Sequence, residues 1–202
     1  MANQYDGKYQ RAGYYWGKKP SSMCVKVLEC MPPDRPLRLL DIGCGEGRNA
    51  VFFARNGYHV SAFDLSGSGV EKTRRMADEA GVTLEVFQAD INAFRLAEEY
   101  DILSSTGTLH YLREECRHEV FDNYRRYTRS GGLNALNVFV HKPFIAKAPD
   151  GEESARHFLS GELFTYYHDW RIEFCSEEIF DCMSGGLPHQ HAVNRMLARR
   201  PK

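Results

Sequence analysis

The stretch LRLLDIGCGEGRN, residues 37–49, decides how this chain is read. Leu37, Leu39, Leu40 and Ile42 form a short apolar run that closes on Asp41 and Gly43, the mark of a buried strand ending in a turn. Gly43, Gly45 and Gly47 follow at two-residue steps, and a helix is expected from near Glu46 to a stop at Gly57. Glycine has no Cβ and reaches positive φ easily, so a glycine turn between a strand and a helix lets backbone approach a ligand closely. The order is D-x-G-x-G-x-G. Dinucleotide-binding turns instead use G-x-G-x-x-G and rest a pyrophosphate on the helix N-terminus.

Outward from this turn, strand and helix patterns alternate. Val60–Phe63, Thr83–Phe87, Ile102 with Leu103, and Leu133–Val140 read as further strands. Val70, Thr73, Ala77 and Ala80 recur at helical spacing before Gly81, as do Cys116, Val120, Tyr124 and Tyr127 before Gly131-Gly132. That alternation predicts an α/β fold with a parallel sheet covered on both faces. Beyond residue 140, HKPFIAKAPDGEES reads as an irregular insertion, GELFTYYHDW as a short helix leading to a strand near Ile172, and Ala192–Ala198 as a last strand.

The 202 residues fit one domain, 1–202, comprising an aromatic N-terminal segment (1–36), a core (37–140) and a closing part (141–202). Lys and Arg number 26 against 27 Asp and Glu, a formal net charge of -1, so no positive field gathers phosphates and nucleic acid is not an expected partner. The first twenty residues have no apolar signal core, and no stretch approaches the roughly 20 apolar residues a bilayer demands. A cytoplasmic protein without a membrane partner is expected, as a monomer or homodimer. The six cysteines form no C-x-x-C pair, so reduced thiols are expected. Cys175, Cys182, His189 and His191 lack the paired spacing of structural zinc sites, and no metal is expected.

Two more acids stand at strand ends: Asp64 in HVSAFDLS, 17 residues beyond Gly47, and Asp90 in FQADI. Together with D-x-G-x-G-x-G they resemble the class I S-adenosylmethionine methyltransferases. The resemblance implies a Rossmann-like, doubly wound seven-stranded sheet, mostly parallel, with an antiparallel last strand beside the fifth. It implies S-adenosyl-L-methionine as cofactor and S-adenosyl-L-homocysteine as product. Asp41 would hold the amino-acid end, and Gly43, Cys44, Gly45, Gly47, Arg48 and Asn49 would pass under the ribose. Asp64 would accept both ribose hydroxyls with Leu65 beside it, Asp90 and Ile91 would take the adenine, and Thr106 would line the site.

GCGEGRN, STGTLHYL, GELFTYYHDW and PHQHAVNRMLARR, spread over nearly the whole chain, further resemble the tellurite-resistance (TehB-like) methyltransferase family. Methyl transfer is an in-line displacement to which a protein contributes proximity, orientation and exclusion of water, and a soft nucleophile needs no strong base. The expected acceptor is a small soft nucleophile, a tellurite- or selenite-type oxyanion or a thiol. His and Arg suit such groups, and His110, His189, His191 and Arg195 are the catalytic candidates. His110, with an imidazole's ordinary pKa of about 6.5, would orient the acceptor or take its proton. Tyr15 and Trp16 are expected to close over the cofactor, with Lys142 and Lys147 attracting an anion. O- or N-methylation of another small metabolite and a non-catalytic regulatory role remain open alternatives.

Overall fold

β1 (Arg38–Ile42), β2 (His59–Asp64), β3 (Glu85–Gln88), β4 (Tyr100–Ser105) and β5 (Thr128–Val140) pair in parallel. β6 (Arg171–Cys182) and β7 (His189–Arg199) pair antiparallel along their whole length, and β7 lies antiparallel against β5. The sheet therefore runs β3-β2-β1-β4-β5-β7-β6, the seven-stranded, mostly parallel arrangement expected. The structure, a computed structural model, describes residues 5–148, 155–183 and 186–202. Residues 149–154 of the expected insertion lie outside them.

Alternation along each strand divides the apolar residues between two layers. Leu39, Ile102 and Leu197 point into a cluster with Met23, Val27, Ala50 and Phe53, supplied by α2 (Ser22–Cys30) and α3 (Arg48–Arg55). α4 (Gly67–Ala80) adds Val70 to that layer. Their neighbours Leu40, Leu103 and Met196 point the other way, against Val120, Phe121 and Tyr124 of α5 (Arg117–Arg126) and Leu163 of α6 (Glu162–Thr165). Each fully buried phenylalanine contributes about 1.5–3 kcal/mol, against about 0.2–1 kcal/mol for an exposed ion pair. Phe53, Phe63, Phe121 and Phe158, all at 0% exposure, therefore outweigh the surface ion pairs in fixing the layers.

Helix ends follow the sequence signals. Ser21 and Ser66 cap α2 and α4, accepting from the amides of Met23 (3.3 Å) and Gly69 (3.0 Å). Gly81 ends α4 with φ +64°. The Gly131-Gly132 pair does not act as a stop. α5 ends at Arg126, and both glycines lie inside β5. A Cβ on Gly132 would lie 2.7 Å from the carbonyl of Asp101, so β5 needs the glycine where β4 approaches closely.

The registers Ile42↔Phe63, Asp64↔Gln88 and Ser105↔Leu136 align the strands' carboxyl ends at one edge, where open α/β sheets carry their ligands. β7 begins at that edge, with Ala192 opposite Val140. No helix among the described residues is long and apolar enough to cross a membrane.

Candidate functional site

β1 ends in the glycine turn. Gly43 has φ +71°, and a Cβ there would lie 2.2 Å from the Thr108 side chain, so sterics demand glycine twice over. The Gly45 amide donates to Oδ2 of Asp64 (2.9 Å) and the Ser66 amide to its Oδ1 (2.8 Å). The carboxylate at the end of β2 thereby fixes the turn that leaves β1. Burial raises its pKa, against the pull of those amides. Asp41 is 1% exposed, and its Oδ2 has no hydrogen-bond partner. Burial first, then the charge of Asp64, pushes its carboxyl up to about 7, against the Arg48 guanidinium and a hydrogen bond from the Ala50 backbone.

The N-terminal segment lies on this turn. α1 (Asp6–Tyr9) brings Tyr9, 5% exposed, against the loop: a Cβ on Gly45 would meet its hydroxyl at 3.0 Å. Tyr5 stacks on Tyr9 at 5.6 Å, its hydroxyl meets that of Tyr111 at 2.9 Å, and Asp6 accepts from the Ser66 hydroxyl. The buried Lys72 pairs with Glu46 at 2.8 Å and donates to the carbonyls of Arg11 and Gly13. Glu46 also accepts from the Trp16 amide (3.1 Å), and Arg48 donates to the Trp16 carbonyl (3.1 Å). Trp16, 38% exposed, donates to the Tyr9 hydroxyl, while Tyr15 packs edge-on against Trp16. The expected lid pair is thus the outer part of the strap, and Tyr5, Asp6 and Tyr9 lie deeper. Tyr5 and Tyr9 belong to the aromatic segment noted in the sequence and stand one helical turn apart, but sequence reading prefers Tyr15 and Trp16 as the lid and does not single out Asp6.

Other candidates divide. The Asp90 carboxylate accepts from the Asn92 amide (2.8 Å), and Leu65 is 46% exposed beside Asp64. Thr106 Oγ1 is buried without a hydrogen-bond partner. Cys44 is buried, its thiol near the Thr73 hydroxyl. Ile91, expected against a ring ligand, is 7% exposed and packed in the core with Phe63 and Leu96. Asn49 Oδ1 accepts the Ser21 amide (2.9 Å) and ties the start of α2.

Around β4, β5 and β7 the same edge is aromatic. His110, 1% exposed, stacks on Phe139 at 4.3 Å, and His191 stacks on Phe139 at 4.6 Å. His157 meets both His110 and Phe139 at 6.1 Å, and Phe180 lies 5.7 Å from His191. His189 Nε2 is 2.9 Å from His191 Nε2. Three of the four catalytic candidates therefore belong to one cluster held by Phe139. The fourth does not join them: Arg195, further along β7, is ion-paired with Glu178 of β6. Lys142 is engaged too, with Glu177 and Ser160, so its charge is spoken for.

The family model described as tellurite resistance protein TehB matches residues 9–184. The chain is 30% identical over its full length to hemagglutinin 1 of Eikenella corrodens. Over 82% of its length it is 26% identical to a probable S-adenosyl-L-methionine-dependent methyltransferase TehB of Haemophilus influenzae. It spans 67% and 58% of the lengths of these two relatives. The crystal structure of TehB from Haemophilus influenzae superimposes with a TM-score of 0.79 at 23% identity, covering 97% of this chain and 65% of that one. With its strand order and strand-end acids, the chain belongs to the TehB family and has the class I S-adenosylmethionine methyltransferase fold.

Proposed function

We propose that the chain transfers the methyl group of S-adenosyl-L-methionine to a small soft nucleophile, a tellurite- or selenite-type oxyanion or a thiol. The observation that carries the cofactor reading is the orphaned oxygen of buried Asp41 beside a glycine turn fixed by Asp64. A buried carboxylate oxygen without a donor is costly in a folded protein and fits a cationic ligand. The cofactor supplies an electrophilic sulfonium methyl group together with an ammonium, a ribose and an adenine.

In this reading Asp41 Oδ2 takes a proton donor from the amino-acid end, and the Thr106 hydroxyl adds a second contact there. Asp64 uses its remaining lone pairs for the ribose hydroxyls, Leu65 covers the base, and Asp90 accepts from the adenine amino group. Tyr9 and Trp16 close the site and exclude water. His110, which shares the Phe139 ring with His191, orients the acceptor for in-line attack. The aromatic and histidine wall supports a soft acceptor, because it offers packing and neutral donors rather than a strong base.

Two measurements test this. Calorimetry with S-adenosyl-L-methionine should show Asp64→Ala weakening binding at least tenfold, and unchanged affinity would remove Asp64 from the ribose site. Labelled cofactor offered with tellurite, selenite, small thiols, phenols and amines should label the first three classes. Transfer to phenols or amines alone would overturn the acceptor class, and binding without any transfer would make the chain a cofactor sensor.

A further inference from the structure

The spacing of Cys175, Cys182, His189 and His191 along the chain does not look like a metal site, yet cross-strand register changes which of them meet. Cys182 stands opposite His189 in the β6–β7 ladder, and His191, two residues further on, shares the face of His189. Cys175 pairs instead with Met196 and is exposed. One ligand atom each from Cys182, His189 and His191 lie within 4.8 Å of one another.

Tautomer chemistry supplies a second, independent observation. Nδ1 of His189 lies 2.8 Å from the carbonyl of Leu187. A carbonyl only accepts, so the ring's proton sits on Nδ1 and the Nε2 lone pair is turned toward His191 Nε2, 2.9 Å away. An outer carbonyl that fixes the tautomer of an imidazole is the usual support for a metal-ligating histidine. His191 is itself held in orientation by stacking on Phe139.

We propose that Cys182, His189 and His191 form a binding site for a borderline d-block cation, with Zn2+ the best match to one thiolate and two imidazoles. Tetrahedral zinc with Zn–N of about 2.0 Å and Zn–S of about 2.3 Å sets its ligand atoms roughly 3.3–3.6 Å apart. The observed spread, from 2.9 Å to at most 4.8 Å, closes on that geometry with small side-chain rotations. Three protein ligands leave a coordination position open, as catalytic rather than structural zinc sites do. The site stands at the carboxyl edge, next to the Phe139 that carries His110. Use of the open position for a thiolate or oxyanion rests on the acceptor reading above, whereas cation binding does not.

The test is titration of the intact 202-residue, metal-free chain with Co2+ as a spectroscopic substitute for Zn2+. One equivalent should produce thiolate-to-cobalt charge-transfer absorption, and Zn2+ should abolish it by displacement. Cys182→Ser should lose that absorption, His191→Ala should weaken Co2+ binding at least tenfold, and Cys175→Ser should change neither. The absence of a stoichiometric band, its persistence in Cys182→Ser, or its loss in Cys175→Ser would overturn the proposal. Calorimetry with S-adenosyl-L-methionine on the same samples reports folding and cofactor binding separately, so a chain that binds cofactor but no Co2+ refutes the cation site alone.

Discussion

On the β1–β2–β3 side of the carboxyl edge, the decisive polar atoms are held by backbone. Asp64 grips the amides of Gly45 and Ser66, and the N-terminal strap is tied to Glu46, Lys72 and Arg48 through main-chain groups. On the β4–β5–β7 side the groups are held by rings: His110 and His191 both stack on Phe139. Backbone-held geometry tolerates few residue types, because a changed side chain must still leave the amide path open. Ring-held geometry allows its members to change while keeping their shape. A common donor and a variable acceptor are what such a division would permit. The division predicts that lesions on the first side act on stability and cofactor affinity, and lesions on the second on turnover.

Lys72→Met should have the largest effect. It leaves Glu46 buried, 3% exposed, without the partner 2.8 Å away, and removes the donor to Arg11 and Gly13. Removing one partner of a buried ion pair costs about 3–5 kcal/mol. Thermal unfolding should drop accordingly, and limited proteolysis should cut within the first twenty residues. Glu46→Gln added to Lys72→Met should recover part of the loss. If the double variant is no more stable than the single one, the buried pair does not carry the strap.

Asp41→Asn comes next, and pH gives its sign. The folded carboxyl titrates at about 7, above its usual value near 4, so the folded state binds the proton more tightly. Stability from this group is therefore full below about pH 4 and is lost as pH rises toward 7. Asn carries no such titration, so the variant should gain on the wild type between those pH values, by roughly 2–4 kcal/mol at pH 8. Cofactor affinity should move oppositely: the wild type should bind more tightly as pH approaches 7, and the variant should show no such rise. Parallel stability profiles for the two proteins would separate Asp41 from this linkage.

What the sequence made legible follows the same division. The strands, the glycine turn and the places of Asp41, Asp64 and Asp90 at or just after strand ends could be read because each is local, a strand and the few residues after it. That Asn49 ties the start of α2 and that Ile91 packs with Phe63 and Leu96 could not be read, because a helix and a strand end each present two faces and spacing does not say which one the core claims. Tyr9 could not be told apart from the other N-terminal aromatics because its contacts depend on a chain crossing to residues 45 and 69. The grouping of Cys182 with His189 and His191 was not legible in the spacing for a related reason: register brings it together.

The smallest effect, and the sharpest separation of the two sides, is expected at His110. It is buried against Phe139, Tyr111 and His157, so packing alone could account for it. Two substitutions separate packing from chemistry. His110→Phe keeps a ring for Phe139 but no nitrogen, whereas His110→Gln keeps a hydrogen-bonding group but no ring. If His110 orients the acceptor, Phe should lower turnover about 10–100-fold, or roughly 1.4–2.7 kcal/mol, at saturating substrates. Gln should retain more turnover than Phe despite a lower melting temperature, and cofactor affinity should stay within about twofold in both, since the proposed donor site lies on the other side of the edge. Turnover that follows melting temperature, with Phe near wild type and Gln impaired, would make His110 a packing residue and leave acceptor orientation to the histidines of β7.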